Sequence, residues 1–413
     1  MLLAPARARE ARAVLGELSD RFLSLRASSS EDPSLSSGHA GIALVHAALA
    51  SVLPGKKHEA RAARALGRAG ELLATRPLPA ALYQGFTGVA WVMELLQGDP
   101  GTPAEDDPLA AIDEALATYL DQEQGAWTEP YDLIQGIVGI GVYALERLPR
   151  PSARRLAALA VKRLAESARP RRPGVAWRTD PEWIPLAYRL TPHLEWNLGV
   201  AHGAPGAIAL LGRVVGADVD AGTKRRARAL LDKAVAWVLA QELPRALSGR
   251  FGDAVGPGIA PRPTRTAWCY GDLGIAAALL VAARGAKQRS WERAAVRIGL
   301  AAASRPAGES GVVDTGLCHG AAGVAHVFHR LFLTTSEPRF ADAARFWVAR
   351  TLAMRGEHRG FAGFAAYEPD GKGKLAWVNN AGFLTGAAGV TLALVAAIAE
   401  DADPVWDRVL LIS

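Results

Sequence analysis

Apolar positions recur along this chain in two registers. In one, a nearly unbroken apolar stretch follows a pair of glycines three residues apart, as at 42–50, 89–96, 275–283 and 390–399. In the other, apolar residues return every three to four positions among charged ones, as at 59–73, 154–168, 225–240 and 341–354. The second register predicts amphipathic surface helices, and the first predicts helices buried on all sides. The two alternate along the chain, so the repeating element is one buried helix and one outer helix.

The glycine pair marks each repeat. It stands at Gly38 and Gly41, Gly85 and Gly88, Gly136 and Gly139, and Gly203 and Gly206. It returns at Gly271 and Gly274, Gly320 and Gly323, and Gly386 and Gly389. Successive first glycines lie 47, 51, 67, 68, 49 and 66 residues apart. A glycine at the start of a buried helix lets another backbone approach where a Cβ would hold it off.

Helix pairs of this kind stack into an open solenoid or close on themselves. The uneven spacing, and an apolar helix close to the last residue, favour closure. The expected fold class is all-α, an (α/α) toroid of seven inner and seven outer helices forming one domain over 1–413. Two stretches without helical period, 169–196 and 244–263, read as loop insertions, and 98–108 reads as a short linker. The first fifteen residues interleave Arg and Glu with Ala and Leu, predicting an amphipathic helix rather than a signal peptide. In a toroid the starts of the inner helices gather at one rim, where a site is expected.

Composition narrows the classes. Half of the 413 residues are hydrophobic and 21% are charged, which excludes intrinsic disorder. No apolar run reaches the roughly 18 residues that cross a bilayer, so no transmembrane segment is expected and the expected compartment is the cytoplasm. The net charge is +6, from 47 Lys and Arg against 41 Asp and Glu. No basic run is long enough to predict nucleic-acid binding. Two cysteines are too few for a disulfide scaffold, which turns attention to their setting.

Cys269 stands two residues before Gly271, and Cys318 and His319 immediately precede Gly320. If the repeats superpose, two thiols and an imidazole meet at one rim. Two thiolates and a histidine suit Zn²⁺, and three protein ligands leave a fourth position open, as catalytic sites do. His202 precedes Gly203 as His319 precedes Gly320, so it faces the same rim as a further ligand or an acid/base. Asp132, four residues before Gly136, and Arg265, four before Cys269, are candidates with Tyr270 beside them. His39 reads as structural, and His326 and His329, on one helix, are not expected to bind metal.

The segments Tyr131-Asp132-Leu133-Ile134-Gln135-Gly136, Ala201-His202-Gly203, Trp268-Cys269-Tyr270-Gly271 and Cys318-His319-Gly320 resemble the signatures of the lanthionine synthetase C family. The resemblance spans nearly the whole chain. It implies a stand-alone lanthipeptide cyclase, which adds peptide cysteine thiols to dehydroalanine or dehydrobutyrine to form thioether rings. It also implies Zn²⁺ on Cys269, Cys318 and His319, and acid/base work by His202 and Asp132 with Arg265 and Tyr270 beside them. The implied partners are a dehydrated precursor peptide and a lanthipeptide dehydratase, with a place peripheral to the membrane in a synthetase complex. One departure stands out: Thr385 precedes Gly386 where many members carry glutamate. Two relatives in chemistry remain open, addition of glutathione to dehydrated peptides and a zinc-stabilised scaffold that binds peptide without catalysis. Prenyltransferase β-subunits, which also activate a thiol on zinc within a helical toroid, lack the Cys-His-Gly pattern.

Overall fold

The computed structural model describes all residues except 1, 26–30, 56, 100–105, 122–126, 184–195, 357, 371 and 400–402. Much of the expected linker at 98–108 and part of the first insertion therefore lie outside the described residues. The chain divides into two compact units. The first comprises Met1–Leu78, Arg265–Trp268 and Ala303–Trp406, and the second Pro79–Thr264, Cys269–Ala302 and Asp407–Ser413.

The first unit holds helices α1 (Pro5–Leu23), α2 (His39–Val52) and α3 (His58–Thr75). From the C-terminal part of the chain it takes α12 (Ala321–Thr335), α13 (Pro338–Ala353) and α14 (Ala387–Ile398), with the hairpin of β5 (Ala366–Pro369) and β6 (Leu375–Val378). Helix α14 is buried from end to end and packs between α12 and α2. The amphipathic α3 and α13 cover α2 and α12, and α1 lies across α14 and α2. On α3 the buried positions Ala62, Ala65, Leu66, Ala69 and Leu72 form the single stripe that its periodicity predicts.

The second unit holds α4 (Phe86–Gln97), α5 (Ala110–Asp121), α6 (Ile137–Glu146) and α7 (Pro151–Ser167). It continues with β1 (Arg169–Arg171), β2 (Gly174–Ala176), β3 (Trp196–Asn197), α8 (Ala204–Gly216), α9 (Ala221–Leu239), β4 (Ala254–Val255) and α10 (Asp272–Gly285). The last of the outer helices, α11 (Arg289–Ser304), buries Trp291, Ala295, Ile298 and Ala302 on one face. Helices α4, α6, α8 and α10 pack side by side in that order, with α7 on α6 and α9 on α8. The α8–α10 contact is backbone to backbone, since a Cβ on Gly285 would stand 1.9 Å from the carbonyl oxygen of Gly212.

The glycine pairs now have a physical account. In every repeat the first glycine is the residue before the helix, and the second lies in its first turn. At six of the seven the first glycine has φ between −98° and −133°, a conformation open to any residue. Proximity, not φ, is what demands glycine there. The preceding loop folds back over the helix start, and a Cβ on Gly136 would sit 2.1 Å from the Pro130 carbonyl oxygen, one on Gly323 1.8 Å from that of Leu317. Gly271 is the exception, with φ of +89°, a region that an L side chain rarely enters.

The insertions hold short strands that the sequence did not disclose. β1 and β2 form a hairpin. β3, from the end of the first insertion, pairs with β4 in the second, setting Asn197 opposite Ala254. Two-residue strands carry too little alternation to be read in advance.

Candidate functional site

Loops that enter the inner helices are tied to one another by main-chain hydrogen bonds that share one acceptor position. In the second unit the Tyr83 N–H donates to the Ile134 carbonyl at 3.4 Å, Leu133 to Ala201 at 3.2 Å, and Val200 to Cys269 at 2.9 Å. In the first unit Cys318 donates to Leu384, and Phe383 to Ser36, each at 2.7 Å. Counted from the first glycine of each repeat, every accepting carbonyl belongs to the residue at position −2. Cys269 and Cys318 both occupy −2, and His202, Tyr270, His319 and Thr385 all occupy −1. The backbone thus fixes where each candidate side chain starts.

The Sγ atoms of Cys269 and Cys318 and a ring nitrogen of His319 lie within 4.8 Å of one another, a group that could hold a metal ion. The two cysteines are not joined in a disulfide. Cys269 is buried and Cys318 half-buried. His319 has its Nε2 atom 3.8 Å from Oδ2 of the buried Asp314. Two sulfurs and one imidazole nitrogen are borderline-soft donors, the kind that zinc prefers. His326 and His329 lie apart from this group, buried on α12, and the His326 ring stacks on Trp406 at 4.6 Å. His39 is buried at the start of α2.

In the second unit His202 and Asp132 meet. The His202 Nδ1 atom is 2.6 Å from Oδ2 of Asp132, whose other carboxylate oxygen accepts the Gln135 N–H at 2.8 Å. Asp132 is fully buried, whereas the His202 side chain keeps 15% of its surface exposed. The carbonyl of His202 is also held, by the hydroxyls of Thr179 at 3.0 Å and Tyr131 at 3.4 Å. Tyr131 stacks on Trp177 and its phenol is pushed well above the ordinary range, chiefly by burial. With Trp127, Trp183 and Arg178 these two rings line a cavity of about 280 Å³.

Tyr270 is buried, and its hydroxyl accepts a hydrogen bond from the Asn197 amide at 2.9 Å. Burial raises its pKa far above the ordinary phenol value, outweighing the lowering by that bond, so it stays protonated. Asn197 in turn accepts the Gly199 N–H, and it stands on β3, so the β3–β4 ladder braces the loop that carries His202. Arg265 is half-buried beside Gly311, in the segment that Thr266 ties to Ser310 by an N–H to carbonyl bond of 2.7 Å.

Several residues of this neighbourhood went unread in the sequence. Asp314, Thr179, Asn197 and Glu368 act through loops and short strands that carry no helical period. Among them Asp314 and Asn197, each six residues before the first glycine of its repeat, Gly320 and Gly203, have a spacing that could have flagged them.

The model of lanthionine synthetase C-like proteins matches residues 29–411. The chain belongs to this family. No curated protein matches its sequence. Among solved structures it resembles a nisin cyclase, with a TM-score of 0.71 over 98% of this chain and 97% of that one, at 19% identity. That likeness shows the fold, and it is the all-α helical toroid expected from the sequence. Among the described residues of this lanthionine synthetase C-like chain, no helix is long and apolar enough to cross a membrane.

Proposed function

We propose that this chain is a zinc-dependent lanthipeptide cyclase, acting on a dehydrated peptide that also carries cysteine. The observation that carries the reading is the Cys269, Cys318 and His319 donor group in a member of this family. Zinc held by these three residues would lower the pKa of a substrate thiol, so that its sulfur is thiolate at neutral pH.

The reaction forms a bond from sulfur to the β-carbon of a dehydroalanine or dehydrobutyrine. The double-bond electrons move onto the α-carbon and its carbonyl as an enolate, and a proton then arrives at the α-carbon. The thiol proton balances that delivery, so the pair His202 and Asp132 needs only to carry one proton. Asp132 accepting from Nδ1 fixes the tautomer and leaves Nε2 as the atom that takes and gives the proton. Arg265 is assigned to the negative charge on the enolate oxygen. Tyr270, buried and held by Asn197, is assigned to positioning the loop between Cys269 and α10.

The test uses purified protein, supplied zinc and a synthetic peptide holding one dehydroalanine and one cysteine. Ring closure leaves the mass unchanged and removes the thiol, so alkylation followed by mass spectrometry separates product from substrate. Loss of alkylation well above the rate without protein supports the cyclase. A product that forms only with added glutathione, or retention of the thiol at the uncatalysed rate, overturns it.

A further inference from the structure

At the last of the seven rims Thr385 precedes Gly386. The structure holds a carboxylate against it. Glu368, on β5, receives the Thr385 hydroxyl on Oε2 and the Asn380 amide on Oε1, each at 2.6 Å. Asn380 Nδ2 is also 3.0 Å from the Thr385 hydroxyl, and Asn380 Oδ1 accepts the Gly382 N–H. Glu368 is thereby clamped to the loop 380–385, both oxygens occupied.

That loop and β5 both grip the segment that bears Cys318 and His319. The carbonyl of Leu384, next to Thr385, accepts the Cys318 N–H at 2.7 Å. Tyr367, next to Glu368, donates its N–H to Asp314 Oδ2 at 3.0 Å, and Asp314 Oδ1 accepts the Gly316 N–H. The backbone of Thr385 also leaves no room for a Cβ on Gly316, the nearest atom lying 2.8 Å away. Glu368 therefore ties two supports of the loop 314–320 to each other, one at its start and one at Cys318.

We infer that Glu368 is a positioning residue for the Cys318–His319 segment, setting a carboxylate from the β5–β6 hairpin against the rim loop at Thr385. Thr385 and Asn380 are its receptors. The inference rests on the proposed metal-binding role of that segment, but its structural core does not depend on metal. Because the Glu368 carboxylate meets the Thr385 hydroxyl directly, a glutamate at 385 is expected to carry its carboxylate to the same loop, which makes the two positions exchangeable.

The exchange is the test. Glu368→Ala, Thr385→Glu and the double variant are compared with the parent by amide hydrogen exchange of peptides covering 314–320, in metal-free protein. Zinc affinity is then measured by competition with a chromophoric chelator. Glu368→Ala is expected to speed exchange in this segment by about tenfold, as expected for loss of a local brace. It is expected to weaken zinc by about 10–100-fold, as loss of a residue supporting a ligand does. Thr385→Glu alone, which sets two carboxylates against each other, is expected to impair both, and the double variant to return both to near the parent values. Exchange unchanged in Glu368→Ala, or a double variant no better than the single ones, overturns the inference. Should Glu368→Ala not fold, recovery of folding and slow exchange in the double variant supports it, and failure overturns it. The hydrogen-exchange outcome stands whether or not the protein closes thioether rings, so failure of one reading is separable from failure of the other.

Discussion

Asp132 and His202 are 70 positions apart in the chain, yet their side chains share a 2.6 Å hydrogen bond in which the carboxylate is fully buried and the imidazole is not. A buried acid at Nδ1 orients the ring and leaves Nε2 as the nitrogen not engaged by the carboxylate. The pairing depends on the main-chain bond from Leu133 to Ala201, which sets the two loops in register one residue from each side chain.

His202→Ala is accordingly expected to reduce ring closure by about 10²–10⁴-fold, the usual range for a lost acid/base, while helical content and bound zinc persist. Asp132→Asn keeps the shape but reverses the preferred tautomer, and is expected to lower kcat with little change in KM. Circular dichroism, zinc content and the alkylation assay together check this. Unchanged turnover in His202→Ala would remove the pair from the mechanism.

The donor group predicts about one zinc per chain, the stoichiometry of a single site with three protein ligands. Elemental analysis of Cys318→Ala is expected to show that zinc lost with the fold retained. A chelator is expected to abolish activity in the parent protein, and added zinc to restore it. Full zinc content in Cys318→Ala would show that the metal is held elsewhere.

Stability away from the site has its own buried charge. Arg147, with no exposed side-chain surface, bonds Glu94 at 2.7 Å and Asp113 at 2.8 Å, and also reaches Asp107. Tyr143 and Ser152 donate to Asp113 as well. Arg150 also pairs with Glu94 and Asp107, so removing Arg147 would leave the buried Asp113 as the acid that loses its cation, and Arg147→Met is expected to cost about 3–5 kcal/mol. Arg147→Lys keeps the charge but loses the planar fork, and is expected to cost less. Urea midpoints measure both.

A pH dependence follows from His46. Its imidazole is pushed down from 6.5 to about 4 by burial, with His58 and Arg61 adding repulsion. It is 2.9 Å from His58, which also contacts Ser19, all within the first unit. Between pH 6.5 and 4 the unfolded chain takes up a proton that the folded chain refuses. The contribution is therefore complete above pH 6.5 and declines as the pH falls toward 4, by at most about 3 kcal/mol. Urea midpoints at pH 7.5 and 4.5 should differ less in His46→Leu than in the parent. An equal difference would assign the acid sensitivity to other groups.

The glycine pairs were legible because in repeat after repeat a Cβ would meet the backbone of the preceding loop, and seven repetitions made the demand visible. From that register followed the seats of Cys269, Cys318, His319 and His202, since each lies one or two residues before a glycine. Partners reached across the fold were not legible. Nothing in the spacing of Asp132 and His202 required the bond between them. The β3–β4 ladder joins two segments that had read as separate insertions, through strands of two residues each. His46 and His58 lie on different helices, and Glu368 reaches Thr385 from a hairpin whose sequence has no strong alternation.

The tie between neighbouring rim loops is made wholly by peptide groups, and this separates inheritance of shape from inheritance of chemistry. Ser36, Ile134, Ala201, Cys269 and Leu384 occupy one seat in five repeats, and in each the carbonyl accepts from the neighbouring loop whatever the side chain. A duplicated repeat could therefore trade an alkyl group for a thiol, or a threonine for an imidazole, without renegotiating its attachment to the next. Evolution could then assemble a multi-ligand centre one substitution at a time, each intermediate still folding. The same freedom is open to design: new donors placed at the −1 and −2 seats would arrive already aimed at the rim.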